Sequence, residues 1–196
     1  MKIKMELKSD VIFGNGISIP GGEDLSVQCD RYGFPYYKGS TFKGIFREEL
    51  LRCLKWRGMT EKESLRKTEE LLGFGGDDDT QNEGKMIFSD FTLSEAVKEV
   101  VLKEIGKENP QEILSTFTNT RVFTGIDEDG MAAEGTLRMG RCVTRGLFFY
   151  SDLYCRNEDR ELAEEVLHLI KWVGTMRNRG FGKVKLSIID EGENHG

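Results

Sequence analysis

Two short runs carry most of the chemistry that this chain's residue types could perform. The first is Gly39-Ser40-Thr41-Phe42-Lys43-Gly44-Ile45-Phe46-Arg47 and the second is Gly174-Thr175-Met176-Arg177-Asn178-Arg179-Gly180-Phe181-Gly182. Backbone N–H groups at a helix start, beside a glycine that permits close approach, form an anion site of the size of a phosphate. Lys43 and Arg47 lie four apart, share a helix face and can meet phosphates from one side. The same residues also fit an N-capped core helix with surface bases. In the second run Arg177 and Arg179 flank Asn178 between glycines, so a polymer backbone can pass close to them. Phe181 can stack on a base or anchor the strand that follows.

Other chemistries find little material. The two histidines are His168, inside a helical pattern, and His195, beside the end of the sequence. Imidazole acid–base catalysis therefore has little to draw on. Cys29, Cys53, Cys142 and Cys155 form no C-x-x-C pair and read as reduced thiols with no structural metal. Loop carboxylates occur at Glu23, Asp24 and Asp30. Exposed aspartates are mostly solvated surface groups.

The formal net charge of −6 argues against coating nucleic acid with bulk positive charge, yet the charges are segregated. Arg31 to Arg57 carries seven bases and two acids, and Lys171 to Lys185 carries five bases and no acid. Acids collect at Asp77–Asp79, at Asp127–Asp129 and from Glu158 to Glu165. Basic surfaces on an acidic body follow.

The elements that would position these runs are read from periodicity. Residues 2 to 9 alternate as a strand, and glycine and proline signals at 14–22 mark a loop. A helix is expected from Gly39 to about Trp56, with Ser40 or Thr41 as its N-cap and Phe42, Ile45, Phe46, Leu50, Cys53 and Leu54 on its buried face. A second helix over 60–72 ends at Gly73, and an acidic loop follows. Residues 85–93 favour a strand, 95–105 a helix capped by Ser94, and Asn109-Pro110 ends whatever precedes it. Ile113 to Asp127 reads as extended, with a hairpin tip at Asp127–Gly130. Strands flanking an Arg145-Gly146 turn span Leu137 to Tyr154. Glu158 to Val173 is the clearest helix, and Lys183 to Ile189 closes the order as a strand. One domain over residues 1–196 is expected, an α+β sheet with helices on one face. The chain shows no membrane span and no apolar signal core, which points to the cytoplasm.

The two runs together resemble the signature of the repeat-associated mysterious protein (RAMP) superfamily: a Gly-Ser-Thr turn-and-helix element near one end and a glycine-rich loop before the last strand. The resemblance implies a ferredoxin-like, RNA-recognition-type core with a projecting thumb hairpin at about 114–137. The approach Asp24-Leu25-Ser26-Val27-Gln28-Cys29-Asp30, then Gly33-Phe34-Pro35-Tyr36-Tyr37, resembles the repeating backbone subunit of type III CRISPR effectors. Thr120-Arg121 and Gly125 to Gly135 resemble that subfamily's thumb. Lys38 stands where a proline is usual, and Thr175 where a second glycine is common.

That likeness implies binding of guide RNA through Gly39, Ser40, Thr41, Lys43, Gly44, Arg47, Arg121, Arg177, Asn178, Arg179 and Gly180. It also implies cutting of paired target RNA by Asp24 with a divalent metal, Mg or Mn, whose ligands the sequence does not identify. Implied partners are guide RNA, target RNA and other effector subunits, including copies of the chain itself. Two alternatives stay open: a non-catalytic scaffold subunit, and a guide-processing endoribonuclease. Processing enzymes of the superfamily commonly use a histidine in the N-terminal half, and no histidine precedes His168.

Overall fold

The computed structural model describes residues 1–14, 26–74, 84–124 and 138–189. Its centre is an antiparallel four-stranded sheet in the order β2-β5-β1-β6, formed by β1 (Lys2–Leu7), β2 (Ile87–Phe88), β5 (Phe148–Tyr154) and β6 (Val184–Ile189). The first and last strands are therefore neighbours, with Met5 opposite Phe149 on one side and Leu186 on the other. Helix α1 (Gly39–Trp56) connects β1 to β2, and α5 (Arg160–Leu169) connects β5 to β6. This is the expected ferredoxin-like order.

Alternation sets the layering. Ile3, Met5 and Leu7 are buried against Phe42, Phe46, Leu50, Val166 and Leu167, while Lys2, Lys4 and Glu6 stand on the other face. Phe42 packs on Phe88 and Phe91 at centroid distances of 5.4 and 4.6 Å, which ties α1 to the β2 edge.

Between β2 and β5 the chain makes α3 (Glu95–Ile105), α4 (Pro110–Phe117) and a separate two-stranded ribbon, β3 (Thr118–Phe123) with β4 (Arg138–Val143). The ribbon overlaps the expected thumb, about 114–137, only in β3, and β4 lies beyond it; the pairing runs in register from Thr118 opposite Val143 to Phe123 opposite Arg138. Its tip falls outside the described residues.

Four local expectations are corrected. Leu114 to Phe117 are helical, because Pro110 opens α4 at a position where its missing N–H is harmless. The 85–93 segment forms only a two-residue strand and then isolated bridges at Phe91 and Thr92. The helix expected to reach Val173 stops at Leu169, with a 3-10 turn at Asn157–Asp159 before it. Neither Ser40 nor Thr41 caps α1. Lys38 holds the N-cap position without a side-chain bond, and the Gly39 N–H donates to Asp90 Oδ1 at 2.8 Å.

Gly39 is fixed by packing. A Cβ there would lie 2.4 Å from the Phe88 carbonyl oxygen and 2.6 Å from that of Ser89. Gly39→Ala should therefore destabilise the protein by about 1–3 kcal/mol through overpacking of backbone on backbone, read as a lowered urea midpoint with an unchanged slope.

Candidate nucleic-acid interface

The continuation of β1 organises the site. Beyond Leu7, the N–H groups of Lys8 and Ser9 both donate to the Lys183 carbonyl, and the Lys183 N–H donates to Ser9 Oγ at 2.9 Å. Asp10 then accepts the Gly182 N–H on its main-chain oxygen at 2.8 Å, and Ile12 accepts the Thr175 N–H at 3.2 Å. The glycine-rich run is thereby strapped along residues 8–12. Gly182 has φ +82°, and a Cβ on it would sit 1.9 Å from the Val173 carbonyl oxygen, so no side chain fits there.

Within that loop Arg177 to Arg179 form a 3-10 turn, entered through left-handed Met176 and left through left-handed Gly180. Arg177, Asn178, Arg179 and Gly180 are all exposed, as the sequence led us to expect. Phe181 is half-buried, with its ring edge-on to Phe123 of β3 at 5.5 Å. It joins loop to ribbon, which is nearer the packing role than that of an open stacking platform.

A cleft of about 510 Å³ opens between the ribbon and the loop. Lys8, Arg121, Arg145 and Arg179 line it, with Asp10, Asn119, Gly180 and Phe181. Four cations and one carboxylate thus share the cleft. Asp10 Oδ2 accepts from Arg121 Nη2 at 2.7 Å and Nε at 3.3 Å, and Oδ1 accepts the Arg145 N–H at 3.0 Å. Burial works to raise the Asp10 pKa. The Arg121 and Arg145 hydrogen bonds, the Arg121 charge and a bond from Asn119 outweigh it, and the net value lies below the ordinary 3.8.

The first run approaches the loop through Tyr37, two residues before Gly39. Burial raises the Tyr37 pKa, and the nearby Gly174 main chain and the charge of Arg177 work against it. The ring stacks on Phe13 at 4.8 Å. The start of α1 and the glycine-rich loop are therefore bridged by one side chain, with Ser40, Thr41 and Gly44 exposed and Lys43 half-buried.

Arg47 takes a role that the sequence reading missed. Its Nη2 donates to the carbonyl oxygens of Gly73 at 2.8 Å and Leu72 at 3.3 Å, closing the end of α2 (Glu61–Leu72). This structural role comes in addition to the phosphate contact expected of it beside Lys43.

Asp24 and Glu23 lie outside the described residues. Asp30 is engaged, its Oδ1 accepting the N–H groups of Tyr32 and Phe34. No group of three or more His, Cys, Asp or Glu side chains that could hold a metal ion occurs among the described residues. No described helix is long and apolar enough to cross a membrane. Sequence reasoning named Arg121 and Arg179 but missed Asp10, Lys8, Arg145 and Tyr37. Asp10 follows the first strand directly and Arg145 was placed in a turn, but sequence spacing does not reveal that the two meet.

The fold and the cleft define a ferredoxin-like α+β protein with a cation-lined groove between a thumb-like ribbon and a glycine-rich loop. The RAMP superfamily model matches residues 4–185, and the chain belongs to that superfamily. A chain in the cryo-EM structure of the type III-B Cmr-beta complex bound to cognate target RNA is 14% identical, with a TM-score of 0.66 over 94% of this chain and 95% of that one. A chain of the Cmr-beta complex in its apo state is 17% identical, with a TM-score of 0.63 over 97% of each. At these identities the likeness is one of fold. No curated protein matches the sequence.

Asp10 also sets a pH dependence. Its pKa is depressed in the folded protein, so its contribution to stability is complete above the unfolded value of about 4 and is lost as pH falls through the folded value. Asp10→Asn should therefore be less stable than wild type by a constant margin from pH 7 to about 5. Denaturation midpoints taken down to about pH 3 should show the margin closing.

Proposed function

We propose that this chain binds guide RNA as a backbone subunit of a type III CRISPR effector in the cytoplasm. The observation that carries the reading is the cleft, where the exposed loop arginine Arg179, the ribbon arginine Arg121, Lys8 and Arg145 converge. Side chains of this kind neutralise successive phosphates without reading base identity. The net charge of −6 fits such a role, because the cations are concentrated where a backbone would lie. The start of α1, with Gly39, Ser40, Thr41, Lys43 and Gly44, adds a second anion-facing element beside Arg177 and Asn178. Partners on this reading are guide RNA, target RNA and other effector subunits, including copies of the chain.

Arg177→Ala and Arg179→Ala should each weaken binding of a labelled single-stranded RNA by roughly 3- to 10-fold and lower the slope of log affinity against log salt by about 0.7. Fluorescence anisotropy at graded salt reads both quantities. Unchanged affinity and slope for both variants would remove the RNA reading.

The finer part of the proposal is target cleavage by Asp24 acting with Mg or Mn. Cleavage with the ribose 2′-hydroxyl as nucleophile needs an in-line approach and a group that organises a proton or a cation. One loop carboxylate can do this, and a metal that keeps several waters needs few protein ligands. On this reading Asp24 would contribute to holding the metal, with RNA oxygens and water able to complete its shell. Asp24→Ala should abolish cutting by the assembled complex while guide binding and target pairing hold, since no phosphate donor is removed. Wild-type cutting by complexes uniformly carrying the substitution would leave a scaffold role.

A further inference from the structure

Resting on the RNA-cleft reading above, we propose that Asp10 is a positioning residue: its carboxylate holds the Arg121 guanidinium, and with it the β3–β4 ribbon, at a fixed spacing from the glycine-rich loop, so that both walls of the cleft meet the same RNA backbone. Asp10 bonds three segments around the cleft at once. Its Oδ2 takes Arg121 from the ribbon, its Oδ1 takes the Arg145 N–H from the turn between β4 and β5, and its main-chain oxygen takes the Gly182 N–H from the loop. Asn119, also on the ribbon, adds a side-chain bond. The carboxylate is thus anchored independently of the arginine that it orients.

The pair is asymmetric. The Asp10 side chain is 12% exposed and that of Arg121 is 55% exposed. Arg121 approaches a single oxygen with its Nε and Nη2, so its Nη1 is turned away from Asp10. A guanidinium has five N–H donors in a rigid fork, and one edge can be held while another meets a phosphate. Arg145, whose main chain is also held by Asp10, lines the same cleft.

An acid inside a cation-lined cleft works against phosphate by charge alone. If Asp10 acted only through that charge, as a place-holder that an incoming phosphate displaces, its removal would tighten binding. Anchoring of Oδ1 by a main-chain donor opposes displacement, and on this proposal the loss of orientation outweighs the loss of repulsion. The sign of the effect separates the two roles.

The test uses the full chain, a labelled single-stranded RNA of mixed sequence, and anisotropy at graded salt. Asp10→Asn keeps the shape and an oxygen for the Arg145 N–H but loses the charge that holds Arg121. It should weaken binding roughly 3- to 10-fold and lower the salt slope by about 0.7, as Arg121→Ala does. The double variant should be no weaker than Arg121→Ala, since Asp10 acts through that arginine. A purely structural role would leave the salt slope in place and let the two effects multiply. Wild-type or tighter binding by Asp10→Asn, or multiplicative effects, would overturn the proposal. Should Asp10→Asn fail to fold, Arg121→Lys carries the test, because it keeps the charge on an exposed strand but loses the two-pronged contact. Weaker binding then supports positioning, and wild-type affinity overturns it. Arg179→Ala separates the levels: if it weakens binding while Asp10→Asn does not, only the positioning role fails, and if neither alters binding the RNA reading fails with it.

Discussion

The pairing of β1 with both β5 and β6 is the constraint on which the rest of the molecule depends. Because the first strand lies between the third and last strands of the core sheet, its continuation through residues 8–12 emerges beside the segment that leads into β6. The main-chain bonds from Lys8, Ser9 and Thr175 and the bond from Gly182 to Asp10 then follow from adjacency. The ribbon is drawn into the same place by Val11, which exchanges main-chain bonds with Val143 at the end of β4. Three segments far apart in sequence thus share one corner of the sheet, and the cleft is the space between them.

An acidic protein can hold an anionic polymer only if its cations are collected and its acids kept away. Among the described residues, several exposed bases are spent on neighbouring carboxylates: Arg52 on Glu49, Lys55 on Glu61, Arg57 on Glu165. Pairs of this kind add little stability and leave little net field. In the cleft Lys8 pairs with Glu6 and Arg121 with Asp10, and Arg145 and Arg179 line the same space. Segregation of charge, more than its total, separates the two kinds of surface.

Much of the architecture was legible in the sequence because it rests on local patterns. The alternation at Lys2–Leu7, the apolar face of α1 and the Arg145-Gly146 turn each predicted the element that forms. Local chemistry was misread at Pro110, which opens α4, and elsewhere a distant partner overrides a local preference. Gly39 is capped by Asp90, fifty-one residues away, so the serine and threonine beside it are left exposed. The Arg121–Asp10 pair spans a separation of 111 residues and has no local signature. The glycine-rich loop could be located by composition, but its closure on residues 10 and 12 could not.

The turn-and-helix motif changes meaning once its contacts are known. Gly39 is required by the backbone of Phe88 and Ser89, and Arg47 closes the end of α2. Both would be demanded by this fold whether or not any ligand were bound. Phe42 and Phe46 likewise face the core. Of the motif's residues, Ser40, Thr41 and Gly44 are exposed and Lys43 is half-buried, so the part able to meet RNA is narrower than the pattern suggests. The glycine-rich loop divides in the same way. Gly174 and Gly182 meet main-chain atoms of Ile12 and Val173, whereas Arg177 to Gly180 project outwards. Each motif is a structural frame around a short exposed segment, and buried Tyr37 lies between the two frames, close enough to Gly174 and Arg177 for both to act on its hydroxyl.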